Sequence, residues 1–345
     1  MSTFFPPETA ENSPDEGAAP PPRRRPRHHW LAVTLIGLVV LVVVAMLSVV
    51  IYAGTVDRSL TQNLQVGEDL PPDVPVEKDE PARPPKVATE ALNYVIMGTD
   101  SRTPGATSAA RSDVLMVAHL AADRKSAALI SFPRDMWVSI PGHGENKINA
   151  AFALGGPQLT IRTLEGLLDT RMDHTVQIDF DGFVQVTQDL GGVTVDNPHA
   201  SRSESWDFPE GRIRIAGDQA LAYVRERKQL PRGDLDRAER QRLVAEAILR
   251  QALSPEVLAN PVKFNQIVGS VARQVTVDRG LTGSELRDTA LSVRFKPDRI
   301  ASLQAPVSGF GTSRDGQSID VVDQRRLGEL AAALQADDLS SYLDR

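Results

Sequence analysis

The chain has 345 residues, a net charge of −7, 41% hydrophobic residues and no cysteine. That length holds one large domain or two modest ones with appendages, and the composition is globular, not disordered. The acidic balance offers no overall basic field for nucleic acid; the missing thiols exclude disulfides, thiol catalysis, Cys-ligated zinc and iron–sulfur clusters.

Residues 1–29 are rich in Pro, Ala and acidic residues and then basic, the composition of a disordered tail. From Leu31 to Ile51 every residue is apolar or small and uncharged. That length suits a bilayer core of roughly 30 Å at about 1.5 Å per residue. Trp30 and Tyr52 bracket it as interfacial aromatics; Arg23-Arg24-Arg25-Pro26-Arg27 precedes it, whereas the other flank turns acidic. We expect a single transmembrane helix over 30–52, a cytoplasmic N-terminus and an extracytoplasmic remainder. A cleaved signal peptide is the competing reading, but the stretch is long for one and no small-x-small site closes it. Residues 53–90, with Pro71, Pro72, Pro75, Pro81, Pro84 and Pro85, read as an extended extracytoplasmic spacer.

A single domain is expected over 91–345. Leu92 to Met97, Val114 to Leu120 and Ala127 to Phe132 are apolar runs of strand length. The second is apolar on both parities except at His119, as in a strand covered on both faces. Gln158 to Leu168 reads as a helix after Gly155-Gly156-Pro157, and Val176 to Ile178 as a strand. Asp181 to Leu190 is a helix stopped by Gly191-Gly192, and Val193 to Val195 resumes extended chain. Further helices are predicted over Asp218 to Val224, Asp234 to Ala252, Val262 to Val275, Thr282 to Val293 and Val321 to Leu334, with a strand over Ile300 to Leu303. This alternation predicts an α/β fold, a mixed central β-sheet flanked by helices on both faces.

The chemistry gathers at the ends of these elements. Gly98-Thr99-Asp100-Ser101-Arg102 follows the first strand, and Arg111-Ser112-Asp113 precedes the second. Two carboxylates and two guanidiniums at one sheet edge suit a divalent metal holding a phosphate ester, since magnesium takes hard oxygen ligands and arginine grips phosphate bidentately. Singly, each has an ordinary reading: an Asp after a Gly turn is a turn former, and a lone arginine is solvated surface. What those readings leave unexplained is the recurrence of Gly, Asp and Arg at element ends, which open α/β sheets bring together at the ligand-binding edge. Arg134, Arg225, Arg227, Arg237 and Arg240 extend the series. No Gly-x-Ser-x-Gly elbow or Walker lysine occurs. The six histidines are scattered without zinc-site spacing. Asp179-Phe180-Asp181 is read as a helix N-cap, and Arg232-Gly233-Asp234 as the turn opening the long helix.

The ordered set Gly98-Thr99-Asp100-Ser101-Arg102, Arg111-Ser112-Asp113, Phe132-Pro133-Arg134-Asp135, Lys147-Ile148-Asn149-Ala150-Ala151, Leu190-Gly191-Gly192-Val193, Ala220-Leu221-Ala222-Tyr223-Val224-Arg225-Glu226-Arg227 and Gly233-Asp234-Leu235-Asp236-Arg237-Ala238-Glu239-Arg240-Gln241 resembles the LytR-CpsA-Psr family of cell-wall glycopolymer ligases. The resemblance spans roughly 91–250, and an N-terminal anchor is also that family's layout. It implies transfer of a glycopolymer from a polyprenyl-pyrophosphate carrier to a muramoyl 6-hydroxyl of peptidoglycan, forming a phosphodiester and releasing polyprenyl phosphate. It further implies Mg²⁺, or Mn²⁺ in its place, held by Asp100 and Asp113; a catalytic set of Asp100, Asp113, Arg134 and Arg225; and a pyrophosphate cradle of Arg102, Arg111, Arg134, Lys147, Arg225, Arg227, Arg237 and Gln241. Asp100 or Asp113 would accept the acceptor's proton, and an apolar channel between sheet and helices would take the lipid tail. The partners implied are the lipid-linked polymer, peptidoglycan and membrane lipid, with no nucleic acid. Two alternatives stay open: a polyprenyl or nucleotide pyrophosphatase using water, and a non-enzymatic lipid-phosphate-binding regulator.

Overall fold

The strand ends that matter belong to a seven-stranded mixed sheet. In the computed structural model, which describes residues 63–74, 81–99, 112–203, 205–252, 254–258, 260–295 and 299–344, the chain begins with β1 (Gln65–Val66), β2 (Leu92–Thr99), β3 (Ser112–Leu120) and β4 (Ala127–Ser131). The hairpin β5 (Trp137–Ile140) and β6 (Gly144–Lys147) leads into α1 (Ala150–Leu168), β7 (His174–Asp179) and α2 (Phe180–Asp189). Short strands β8 (Val193–Asn197), β9 (Ser201–Ser203), β10 (Trp206–Phe208) and β11 (Gly211–Ile215) precede α3 (Gly217–Arg225) and α4 (Asp234–Ala252). The remainder is α5 (Pro255–Leu258), α6 (Pro261–Gln274), β12 (Val275–Val277), α7 (Gly283–Ser292), β13 (Ile300–Gln304), β14 (Val307–Thr312), β15 (Ser318–Val322), α8 (Gln324–Gln335) and α9 (Leu339–Leu343).

The sheet order is β1-β12-β7-β2-β3-β4-β13. β2 runs parallel to β7, antiparallel to β3, and β4 is antiparallel to β3 and parallel to β13. The C-terminal ends of β2, β4, β7 and β13 therefore share one edge with the start of β3. Successive side chains of a strand point to opposite faces, and both faces are covered. Val95, Met97, Leu115, Val117 and Ile130 pack with Phe152, Ile161 and Leu164 of α1 and Leu327, Leu330 and Leu334 of α8. On the other face Ile96, Val114, Met116 and Leu129 meet Ala245 and Leu249 of α4. Each such side chain contributes about 1.5–3 kcal/mol when fully buried. A second cluster joins Val186 of α2, Val193 and Ile215 of the β8–β11 hairpin, Tyr223 of α3, Val244 of α4 and Ile267 of α6.

The mixed sheet with helices on both faces is thus as expected, with three displacements. The helix predicted from Gln158 begins at Ala150 and is kinked at Gly155 and Gly156, whose backbone is not helical. The helix predicted to Val275 stops at Gln274, because Val275–Val277 is drawn into the sheet antiparallel to β7. The helix predicted from Val321 starts at Gln324, since Ser318–Val322 pairs antiparallel with β14 and Asp323 caps the helix by accepting from the Arg326 amide. The expected tail and transmembrane helix lie outside the described residues; among the described residues no helix is long and apolar enough to cross a membrane.

The expected spacer over 53–90 needs correction, because parts of it are built into the domain. β1 pairs parallel with β12, and Arg83 is buried against Glu165, with Nη2 2.6 Å from Oε1 and Nε 3.0 Å from both carboxylate oxygens. Its Nη1 and Nη2 also donate to the Pro71 and Met172 carbonyls. A Pro-rich sequence conceals this because one arginine does the docking. Removing one partner of a buried pair costs about 3–5 kcal/mol, since the other charge stays buried. Arg83→Ala should lower unfolding free energy in urea by about that amount. Arg171→Ala, which breaks a pair with the exposed Asp73, should cost about 1 kcal/mol or less.

Candidate active site

Asp113 is placed by a strand irregularity. β2 and β3 pair residue for residue from Leu92 opposite Leu120 to Gly98 opposite Val114, and then Thr99 pairs with Ser112. Asp113 is the extra residue, and such a bulge re-aims a side chain next to a sheet edge. The Ser112 hydroxyl spans it by donating to the Val114 carbonyl at 2.7 Å. Gly98 is required here by close approach, because a Cβ at that position would lie 2.7 Å from the Val114 Cβ. Gly98 and Thr99 therefore belong to the strand, and not to a turn as the sequence suggested.

Arg134, leaving β4 after Pro133, reaches the bulge: its Nη1 donates to Asp113 Oδ1 at 2.8 Å. Its Nε lies 3.4 Å from Asp234 Oδ1. Asp234, first residue of α4, also takes Arg237 Nη2 at 2.6 Å and stands 4.0 Å from Arg227 Nη1. One carboxylate thus faces three guanidiniums. Beside them Lys147 Nζ pairs with Asp135 Oδ1 at 2.9 Å. Burial lowers the Arg134 pKa but Asp234, Asp113 and Asp135 outweigh it and raise it overall. Burial pushes the Asp234 carboxyl up, against the pull of Arg237 and Arg134.

Among the expected cradle residues, Arg134, Lys147, Arg227 and Arg237 are brought together. Arg225 stands at the end of α3, its guanidinium 4.0 Å over the Phe180 ring, just beyond the C-terminal end of β7. Gln241 does not join them; its Nε2 donates to the Val224 carbonyl at 3.3 Å, tying α4 to the last turn of α3. Arg240 points into the core, 4.3 Å over the Tyr223 ring and bonded to Asn197 and His199. Asp100, Arg102 and Arg111 lie outside the described residues. Asp179 does cap α2, accepting from the Gly182 amide at 2.7 Å. As a magnesium site, the described part offers Asp113 as a hard oxygen ligand at a phosphate-sized cluster of arginines. That fits an ion which takes one or two carboxylates and completes its shell with water and phosphate.

Three residues escaped the sequence reading. Asp234 was visible only as a turn residue after Gly233, whose φ of 56° opens α4; its role depends on what folds around it. Asp135 sits within the quoted Phe-Pro-Arg-Asp run. Asp320 had no local signal. It lies on β15, where its amide donates to the Asp135 carbonyl at 2.9 Å, and its carboxylate Oδ2 is buried with no hydrogen-bond partner among the described residues. Together with Arg134, Lys147, Arg227 and Asp234 it lines a cleft of about 680 Å³ between the β5–β6 hairpin, α1 and the β14–β15 hairpin. Burial, then Asp135 and Asp234, push the Asp320 pKa up to about 6, with Lys147 and Arg134 opposing.

An aspartate ordinarily titrates near pH ~3.9 when unfolded. Between that value and about 6 the folded state holds the extra Asp320 proton, so stability falls as pH rises through this window. The loss amounts to about 3 kcal/mol by pH 7. Asp320→Asn should remove it: denaturant unfolding should show a variant more stable than the parent at pH 7–8, with a flatter stability curve between pH 4 and 6.

The comparisons with known proteins fall on this same framework. Residues 63–336, well over half of the chain, match the LytR_cpsA_psr family. Over 251 residues the chain is 36% identical to the polyisoprenyl-teichoic acid–peptidoglycan teichoic acid transferase TagU of Halalkalibacterium halodurans, covering 72% of this chain and 80% of that one. The TagU of Enterococcus faecalis is 32% identical over 247 residues, covering 71% and 79%. Among solved structures, Bacillus subtilis TagV superposes with a TM-score of 0.62 at 28% identity, covering 72% of this chain and 97% of that one. TagT bound to LIIa-WTA superposes with a TM-score of 0.57 at 27% identity, covering 72% and 91%. The chain belongs to the LytR-CpsA-Psr family.

Proposed function

We propose that this protein is a membrane-anchored phosphotransferase that moves a glycopolymer from a polyprenyl-pyrophosphate carrier to peptidoglycan. The observation carrying this reading is the gathering of Arg134, Arg227 and Arg237 around Asp234 beside Asp113. The relatives' names, teichoic acid transferases acting on peptidoglycan, supply the substrate class.

In the reaction, the acceptor hydroxyl oxygen bonds to the phosphorus that carries the polymer, and the bond from that phosphorus to the bridging oxygen breaks. The electron pair leaves with polyprenyl phosphate. Such a transfer needs little covalent help from protein; it needs charge balanced on non-bridging and leaving oxygens by groups already in place. Arg134, Arg227 and Arg237 meet that need, held by carboxylates at the sheet edge before any ligand arrives. Arg225, stacked on Phe180, extends the cradle, and Arg102 and Arg111 would complete it from the β2–β3 connection. Lys147, sharing Asp135 with Arg134, adds a further charge, and Gln241 braces α3 beside the cradle. Asp113 and Asp100 would hold Mg²⁺, which when bound supplies charge neutralisation at the pyrophosphate. The apolar stretch over 30–52 would keep the domain beside its lipid substrate, outside the cytoplasm.

The full-length protein, a polyprenyl-pyrophosphoryl saccharide, a peptidoglycan oligosaccharide and Mg²⁺ should yield a phosphodiester-linked product and polyprenyl phosphate. Chelation should stop the reaction and added Mg²⁺ restore it. Arg134→Ala should lower kcat/KM at least about 10²-fold, the effect of removing one preorganised donor, with circular dichroism unchanged. Release of lipid phosphate at the same rate without any acceptor product would make the protein a pyrophosphatase instead. A reporter joined after Arg345 should be active only outside the cytoplasm.

A further inference from the structure

We infer that the cleft between the β5–β6 hairpin, α1 and the β14–β15 hairpin is the saccharide acceptor subsite, and that Asp320 is the base that takes the proton of the attacking hydroxyl. This rests on the phosphotransferase reading above.

The lining has the character of a sugar site in two parts. Phe310 and Leu154, 65% and 47% exposed, give the cleft an aromatic and an aliphatic face open to solvent among the described residues. Phe310 is held up by a hairpin whose next strand places Asp320 directly opposite it in register. Asn149 and Ser318 line the same cleft and supply amide and hydroxyl groups of the kind that orient a polyol. Concave sites that combine an apolar surface with a few convergent polar groups are the usual form of a ligand pocket. The floor is charged, and Arg134 and Arg227 are shared with the phosphate cradle, so a hydroxyl held here abuts the phosphorus it must attack.

Asp320 suits the proton's destination better than Asp113. The Asp113 carboxylate is occupied by Arg134 at 2.8 Å and stands at the bulge, outside the lining of this cleft. Asp320 is 3% exposed and its Oδ2 is unpartnered among the described residues, yet it lines an open cleft. The charged groups acting on it are Asp135 from the β4–β5 connection, Asp234 of α4, Lys147 of β6 and Arg134. Their balance, with burial, leaves it titrating at about 6, and a general base works best with a pKa near the operating pH. In the step, the acceptor O–H proton passes to Asp320 as the oxygen–phosphorus bond forms. The bridging oxygen–phosphorus bond breaks with its electron pair on the lipid phosphate. Asp320 then releases the proton to solvent through the cleft.

The test uses the full-length protein with a polyprenyl-pyrophosphoryl saccharide as donor and a muramoyl-containing peptidoglycan oligosaccharide as acceptor. The parent's kcat/KM should rise with pH through an inflection near 6. Asp320→Asn should fold with an equal or higher thermal midpoint and bind donor as the parent does. Its transfer should fall about 10²-fold, the usual contribution of a general base, and the inflection should vanish. Phe310→Ala should raise the KM for the oligosaccharide about tenfold while leaving the KM for donor unchanged. Near-parental transfer by Asp320→Asn with the inflection intact would overturn the assignment of the base and leave the phosphotransferase reading standing. A rise in donor KM in Phe310→Ala would give the cleft to the donor's sugar and overturn the acceptor subsite. A parent protein that makes no transfer product would remove both readings together.

Discussion

Several guanidiniums crowded at one edge repel one another by about 4 kcal/mol per pair at 4 Å in a surface-like dielectric. The fold holds them because Asp234 stands among Arg134, Arg227 and Arg237, with Asp113 as a further partner for Arg134. That carboxylate opens the first turn of α4, where the exposed amides and the helix dipole favour a negative charge. The same helix buries Val244 and Ala247 in one cluster and packs Ala245 and Leu249 against the sheet. The position of the anion is therefore set by the core, and the arginines by the anion.

This arrangement carries its own cost. Burial raises the proton affinity of Asp234 and Asp320, Asp135 adds to both and Asp234 adds to Asp320, and the cations between them only partly relieve the strain. A fold chosen for stability alone would place a neutral residue at Asp320. An ill-solvated carboxylate beside a cluster of arginines is the pattern expected where chemistry outranks stability.

Much of this was legible in the sequence, and the boundary of legibility has a physical cause. The central strands, the Gly191-Gly192 stop and the span of α4 are local matters of period and punctuation, and they stand where the residues put them. Arg134, Arg227 and Arg237 stand out in the sequence because they recur near the ends of elements, and Lys147 only through the resemblance; the fold brings the four near one another. Asp234 does open the long helix as its turn predicts, but its ion pairs are not local, because the partners come from the β4–β5 connection, the α3–α4 loop and its own helix. Asp320 and β12 were invisible for the same reason at greater range. β12 acquires its identity from pairing with a strand about a hundred residues earlier, and Asp320 from a backbone bond to Asp135. Gln241, given as a ligand contact by the resemblance, also ties α4 to Val224, a contact that motif spacing does not announce.

The bulge at Asp113 separates what evolution can vary from what it cannot. Thr99 and Ser112 close the base of the β2–β3 connection by pairing, so residues added to that connection cost only the slow logarithmic growth of loop-closure entropy. A single insertion or deletion a few residues further along β3 would instead exchange its two faces, sending Leu115 and Val117 out of one core and moving Asp113 off the edge in the same event. The connection can therefore change length at little cost to the fold, whereas the register of β3 beyond the bulge is fixed by the two cores it faces.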